Sequence, residues 1–177
     1  TMNATGNQDN LKINLEQVKN KISKKAREIG RDPSEINLVV VTKEKTALVV
    51  KQVFELGLER IGESYLQEAE FKMDLLEEFP IEWHMIGYIQ SGKERQIARR
   101  FDVIHSIDRV EVAEKINQEA GKLDKKIPIF LEINVSGEET KHGFQAWKES
   151  QWDGLRQGFE NIFQFEFLEV QGLMTMA

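Results

Sequence analysis

The sequence contains no cysteine, only three prolines and no long apolar run. The absence of cysteine excludes disulfides, thiol catalysis and thiolate-bound metals, and it fits a cytoplasmic protein. A membrane span requires about 18 consecutive apolar residues, and the polar amino-terminal stretch lacks the apolar core of a signal peptide. We therefore expect a cytoplasmic protein with no membrane partner.

The chain also lacks an excess of positive charge. Acidic residues outnumber basic ones by 30 to 24, which gives a net charge of -6. Binding to nucleic acid requires clustered lysine and arginine to neutralise phosphates. The basic clusters at 21–27 and 93–100 lie on predicted helices, where we interpret them as solvated faces, so no nucleic-acid partner is expected.

Common motifs for nucleotide, zinc and serine-hydrolase chemistry are missing: the sequence has no G-x-G-x-x-G, G-x-x-x-x-G-K-[ST], H-E-x-x-H or G-x-S-x-G. Three histidines, His84, His105 and His142, could share a metal. His142 lies in a glycine-flanked loop, however, and packing or hydrogen-bonding roles explain the other two as well. We expect no metal.

The most informative stretch is the predicted strand 36–43. Its four consecutive apolar residues 38–41 show no alternation, which is typical of a strand buried on both faces in a parallel sheet. The strand ends at Lys43. An amine at the rim of a dry interior has a lowered pKa and is a better nucleophile. The alternative is that Lys43 simply begins a solvated loop.

Helices and strands alternate along the rest of the chain, which predicts a single α/β domain over 1–177 with residues 1–8 disordered. The predicted helices are 9–29, 47–56, 64–78, 91–100, 108–121 and 148–163, and the predicted strands are 36–43, 59–62, 82–87, 102–105, 127–134 and 167–174. This order indicates a parallel sheet, either doubly wound or a (β/α)8 barrel of the TIM type. About six β/α units are present, and six do not close an eight-stranded barrel. We therefore expect a longer native chain, or a partner that covers the gap.

Polar residues stand at or near the end of every predicted strand. In a parallel fold these ends open onto one face, where binding sites are built. A small polar ligand explains such a set better than helix capping does. The candidate site residues are Lys43, Ser64, His84, Ser106, Asn134 and Met174.

Six motifs in this order resemble the YggS/PROSC family of pyridoxal phosphate homeostasis proteins. The resemblance covers residues 9–177. The motifs are V-T-K-E-K at 41–45, I-G-E-S-Y-L-Q-E at 61–68, W-H-M-I-G-Y-I-Q-S-G-K at 83–93, H-S-I-D at 105–108, N-V-S-G-E-E-T-K-H-G-F at 134–144 and G-L-M-T at 172–175.

The resemblance implies a fold-type III barrel like the barrel domain of alanine racemase, without that enzyme's second domain. Lys43 matches the family lysine that holds pyridoxal 5'-phosphate (PLP) as a Schiff base. The implied function is PLP binding in vitamin B6 homeostasis and in amino-acid and keto-acid balance. Amino acids are possible further partners, and we expect a monomer.

Three positions depart from the family pattern, which usually has Asn at Ser64, His at Tyr88 and Asn at Gly92. These differences leave the cofactor contact at Ser64 and the loop after the third strand open. The family also continues by two further β/α units, which carry a phosphate cradle and an arginine facing the pyridine nitrogen. The resemblance therefore implies that the phosphate-binding residues lie beyond Ala177.

Two further functions remain open: a PLP-dependent racemase or decarboxylase, and a protein-interaction module with a vestigial site. A racemase of this fold requires a second acid/base that another domain supplies, and no such domain occurs in this sequence. We therefore favour a cofactor-binding protein over an enzyme.

Overall fold

The computed structural model describes residues 4–176, with side chains from residue 10 onward. The helices are α1 (Ala4–Glu28), α2 (Ala47–Glu55), α3 (Leu66–Leu75), α4 (Glu94–Arg100), α5 (Val110–Lys122) and α6 (Trp152–Ile162). The strands are β1 (Val40–Val41), β2 (Arg60–Glu63), β3 (Glu82–Met85), β4 (Val103–Ile107), β5 (Ile127–Asn134), β6 (Phe144–Gln145) and β7 (Leu168–Met174).

Every strand pair is parallel, and the main sheet has the order β1-β2-β3-β4-β5-β7. The short β6 pairs with the carboxyl end of β5. Because the main order follows the chain without reversing, the strands formed by residues 4–176 have no topological switch point, which a doubly wound sheet requires. The topology is that of a β/α barrel wall.

The two faces of the sheet differ in chemistry, as β5 shows. Ile127, Ile129 and Leu131 are fully buried and belong to the same apolar cluster as the inner faces of the helices. The alternate residues Pro128 and Phe130 face the opposite way and line a groove. We call the face of Pro128 and Phe130 the concave face, because it corresponds to the inside of a barrel, and the helix-covered face the convex face. Since side chains alternate along a strand, the residues that can contact a ligand lie on the concave face.

Helices α2 to α6 each bury one stripe of side chains against the convex face of the sheet. In α5 that stripe is Val112, Ala113, Ile116 and Ala120, at the spacing of an amphipathic helix. None of the helices formed by the described residues combines the length and apolar character that a membrane crossing requires.

Two predictions about elements were wrong. The first strand is paired only over Val40–Val41, and the Val41 side chain is 50% exposed instead of buried on both faces. Among the described residues β1 pairs with β2 alone, so its other side has no strand to cover it. Residues 4–8, expected to be disordered, form the start of α1, while residues 1–3 lie outside the described part.

Candidate functional site

Most of the predicted site residues lie at the carboxyl edge of the sheet. Lys43 follows β1 by two residues, Ser64 follows β2 directly, and Asn134 and Met174 are the last residues of β5 and β7. The parallel ladders bring these strand ends to one edge. This edge is where barrels of this type place their ligands.

His84 and Ser106 lie inside strands. His84 pairs in register with Gly62, two residues before Ser64, so it sits deeper than the edge. Ser106 lies where β4 carries one extra residue relative to β5, between the pairs at Ile104 and Ile107. Its hydroxyl is buried and has no hydrogen-bond partner among the described residues. A buried polar atom is normally satisfied, so this hydroxyl is suited to contact a ligand.

Lys43 is the second residue of a tight turn over residues 42–45. The turn is closed by the Lys45 amide, which donates to the Thr42 carbonyl at 3.0 Å. Lys43 is exposed, so the expectation of a dry setting for its amine was wrong for the described part of the chain. The physical reason is the short edge strand, which gives Lys43 no apolar wall on its open side.

A buried polar network lies directly beneath this turn. Lys72 is only 2% exposed, and its Nζ donates to Glu63 Oε1 at 2.6 Å, Glu68 Oε1 at 2.6 Å and the Thr42 carbonyl at 2.7 Å. The Thr42 hydroxyl donates to the same Glu63 oxygen at 2.5 Å. The ammonium is therefore satisfied by two carboxylates and a carbonyl, which is what a buried charge requires.

Sequence reasoning missed this network, although two signals were available. Glu63 directly follows the apolar Ile61 and the small Gly62 at the end of a buried strand, so its carboxylate needs a partner. Lys72 stands between Ala69 and Met73 on the buried stripe of α3, four residues after Glu68. The pattern of a lysine on a buried helix stripe predicts an internal ion pair.

The side chain of Asn134 holds a loop. Its Nδ2 donates to the carbonyls of Glu138 at 2.9 Å and Lys141 at 3.3 Å, and its Oδ1 accepts from the Gly137 amide at 2.9 Å. The loop returns at Gly143, where a Cβ would lie 2.8 Å from the Asn134 nitrogen. Asn134 therefore shapes the 136–143 loop beside the edge of the sheet, and that loop leads into β6.

Aromatic and basic side chains join the loop after β3 to the loop after β5. The Tyr88 ring stacks on His142 with 4.1 Å between centroids, and the Arg109 guanidinium lies 5.1 Å from the Tyr88 centroid. Arg109 also donates to the Ile89 carbonyl at 3.0 Å. Tyr88 thus contacts both His142 and Arg109 and links the loop after β3 to the loop after β5.

Two carboxyl groups near this edge resist ionisation. Burial, and then the neighbouring Asp108, raise the pKa of Glu132 to about 7. Burial also raises the pKa of Asp108, an effect that the charge of Arg109 opposes. Glu132 lies two residues after Phe130 in β5, so its side chain points to the same, concave face. The concave face therefore carries a carboxyl group that can hold or release a proton near neutral pH.

Deeper on the concave face, two histidines form a chain with Glu82. His84 Nε2 lies 2.7 Å from Glu82 Oε1, and His84 Nδ1 lies 2.8 Å from His105 Nε2. The His105 ring stacks on Phe130 with 4.5 Å between centroids. Burial lowers the pKa of both histidines, and that of His105 falls to about 4. Both rings are therefore neutral at physiological pH.

His142 lies apart from this pair, in the loop beside Tyr88. Within residues 4–176, no group of three or more His, Cys, Asp or Glu side chains is arranged to hold a metal ion. His84 and His105 make packing and hydrogen-bonding contacts with each other, Glu82 and Phe130.

Comparison with known proteins identifies the family. The model of the alanine racemase N-terminal domain matches residues 7–177. The pyridoxal phosphate homeostasis protein of Pseudomonas aeruginosa is 36% identical over 92% of this chain and 68% of its own length, and that of Escherichia coli strain K12 is 38% identical over the same shares. The chain belongs to the alanine racemase N-terminal domain family and, within it, to the pyridoxal phosphate homeostasis proteins.

Solved structures agree with this membership. PipY of Synechococcus elongatus PCC7942, determined with PLP bound, superposes with a TM-score of 0.72 at 27% identity, over 88% of this chain and 70% of that one. An alanine racemase of Clostridium difficile superposes with a TM-score of 0.65 at 18% identity, over 80% of this chain and 36% of that one, and so is similar in fold alone. The predicted barrel fold is confirmed.

Proposed function

We propose that this protein binds PLP covalently through Lys43 and serves in PLP homeostasis. The proposal is supported by the relatives named for that role and by a neighbour determined with PLP bound. The observation that carries it is the placement of Lys43, an exposed amine on a hydrogen-bonded turn at the carboxyl edge of the sheet.

The residues present fit such a cofactor. PLP supplies an aldehyde, which a lysine amine takes up as a Schiff base with release of water. Lys43 would provide that amine. The unpartnered Ser106 hydroxyl would donate or accept a hydrogen bond, and the other expected contacts are Ser64, His84, Asn134 and Met174. Because His84 lies deeper and Asn134 holds the 136–143 loop, we assign these two a supporting role around the site.

We further propose that the protein is a carrier of the cofactor and not an enzyme. Its curated relatives are named for homeostasis, and likeness to racemases at 18% identity concerns the fold alone. The test is to incubate the loaded protein with L- and D-alanine in deuterium oxide. We expect no racemisation and no exchange at Cα; turnover of either isomer would instead establish a PLP-dependent racemase.

We also propose that the protein acts in the cytoplasm as a monomer with amino acids as secondary ligands. Sedimentation of the loaded protein measures the assembly state. A shift of the cofactor absorbance upon addition of alanine, without turnover, would report the amino-acid contact.

The covalent assignment gives the first prediction. Borohydride reduction of the loaded full-length protein, followed by peptide mass mapping, should fix the cofactor on Lys43 alone. Lys43→Ala should abolish the absorbance of the Schiff base while the unfolding midpoint stays unchanged, because an exposed side chain contributes little packing.

Lys45 is the internal control for this experiment, because it is an exposed lysine in the same turn. Lys45→Ala should retain both the absorbance and the adduct on Lys43. Recovery of the adduct on Lys45 or Lys93, with Lys43 unmodified, would refute the assignment.

A further inference from the structure

The turn that carries Lys43 is held from below by side chains of another element. Lys72 Nζ donates to the Thr42 carbonyl, on the amino side of Lys43, at 2.7 Å. Glu68 Oε1 accepts the Glu44 amide, on the carboxyl side, at 2.6 Å. The same Glu68 oxygen accepts Lys72 Nζ at 2.6 Å, so α3 grips the backbone on both sides of Lys43.

The turn itself adopts a conformation that requires such support. Glu44 has a φ of 61°, in the left-handed region that favours glycine. A residue other than glycine in this region costs about 1 kcal/mol or more and persists only when its surroundings enforce it. The hydrogen bonds to Lys72 and Glu68 supply that enforcement.

We infer that Lys72, acting with Glu68, is a positioning residue for Lys43, one that fixes the turn so that the exposed amine meets an incoming aldehyde in one orientation. The inference rests on the proposed function and assigns to the buried network a role in it. Preorganisation of a nucleophile lowers the entropic cost of bond formation, whether or not other parts of the ligand are bound. The effect should therefore be selective for ligands that react with Lys43.

Glu68 offers the sharper test, because its side chain is partly exposed whereas those of Lys72 and Glu63 are buried. Replacing Glu68 with alanine removes the hydrogen bond to the Glu44 amide without removing a buried side chain from the core. Glu68→Gln keeps an acceptor oxygen at the same place. Glu70→Ala removes the same charge from the same helix, and no contact of the Glu70 side chain with the turn is present within the described residues.

The experiment compares two ligands in the full-length protein. PLP carries the aldehyde, whereas pyridoxine 5'-phosphate carries an alcohol in its place and cannot form a bond to the amine. Dissociation constants are measured by absorbance for PLP and by calorimetry for the alcohol. Glu68→Ala should raise the dissociation constant of PLP about tenfold, the equivalent of one charge-assisted hydrogen bond. The dissociation constant of pyridoxine 5'-phosphate should stay unchanged. Glu68→Gln should weaken PLP binding less than Glu68→Ala does, because its side-chain oxygen still accepts from the Glu44 amide but carries no charge. Glu70→Ala should behave as wild type with both ligands.

The combined variant Glu63→Gln with Lys72→Met tests Lys72 directly, since it removes both charges of the buried pair together. This variant should also bind PLP more weakly than wild type while its affinity for pyridoxine 5'-phosphate stays unchanged. Equal loss of both ligands in the Glu68 variant, or no loss of either, would overturn the positioning role. If the wild-type protein forms no adduct on Lys43 at all, the proposed function fails instead.

Discussion

At the scale of single residues, the buried Lys72 side chain donates to the backbone of the turn that carries Lys43. The contacts of Lys72 join residues that are 9 and 30 positions apart, and they depend on how α3 packs against β2. A lysine in the middle of a helix usually lies in solvent, which is why its burial was not predicted.

The ion pair between Lys72 and Glu63 gives a prediction about stability. Lys72→Met should destabilise the protein by about 3–5 kcal/mol, because it leaves the Glu63 carboxylate buried and without its cation. The double variant with Glu63→Gln should recover most of that loss, because an amide can still accept from the Thr42 hydroxyl. Urea denaturation at neutral pH measures both. A loss below about 1 kcal/mol in the single variant would show that water reaches the carboxylate.

At the scale of elements, apolar periodicity and turn residues were sufficient to find the six α-helices and the six main-sheet strands that the described residues form. The bounds of β5 were predicted to the residue, because an apolar run begins at Ile127 after two lysines and the polar Asn134 ends it. The helix α3 is shorter than predicted at both ends. The two-residue β6 was not predicted, since its pairing with β5 depends on the loop that Asn134 holds.

The close approach of β2 and β3 gives a second prediction about stability. A Cβ on Gly87 would lie 2.1 Å from the Ser64 carbonyl oxygen and 2.6 Å from its Cα. Both contacts are with backbone, which cannot yield by a side-chain rotation. Gly87→Ala should therefore destabilise the protein by about 1–3 kcal/mol and displace Ser64 from the edge of the sheet. Thermal unfolding measures the loss.

Gly154 provides the matched control, because it lies in α6, has no positive φ, and has no atom within 4 Å of the position that a Cβ would take. Gly154→Ala should stabilise the protein by about 0.5–1 kcal/mol through helix propensity. A Gly87→Ala variant as stable as wild type would mean that the strands separate without cost at this point.

At the scale of the whole molecule, the alternation of helices and strands predicted the fold class, and the barrel was one of two topologies left open. The family resemblance already favoured the barrel, and the strand order agrees with it, an order that local sequence patterns alone do not encode. The shifted pKa values on the concave face could likewise not be predicted from the sequence. His84, His105 and Glu132 lie on three different strands, and their pKa values depend on burial that only the assembled sheet creates.

Two of these groups oppose each other in the pH dependence of stability. The pKa of Glu132 rises on folding from 4.5 to about 7, so the folded state binds more protons and stability falls as the pH rises through that range. The pKa of His105 falls on folding from 6.5 to about 4, so the folded state binds fewer protons and stability rises between pH 4 and 6.5. Each contribution amounts to about 3 kcal/mol at most.

Replacing either group should leave the pH dependence of the free energy of unfolding dominated by the other group. Glu132→Gln should show a free energy of unfolding that rises more steeply with pH between 4.5 and 7 than in wild type, and it should exceed wild type at pH 8. His105→Gln should show the reverse, a steeper fall with increasing pH. Urea titrations at a series of pH values measure both slopes. Comparing each variant with wild type cancels the contributions of Asp108 and His84, the neighbours whose pKa values also change on folding. Parallel curves for wild type and both variants would show that water enters the concave face and leaves both groups with ordinary pKa values.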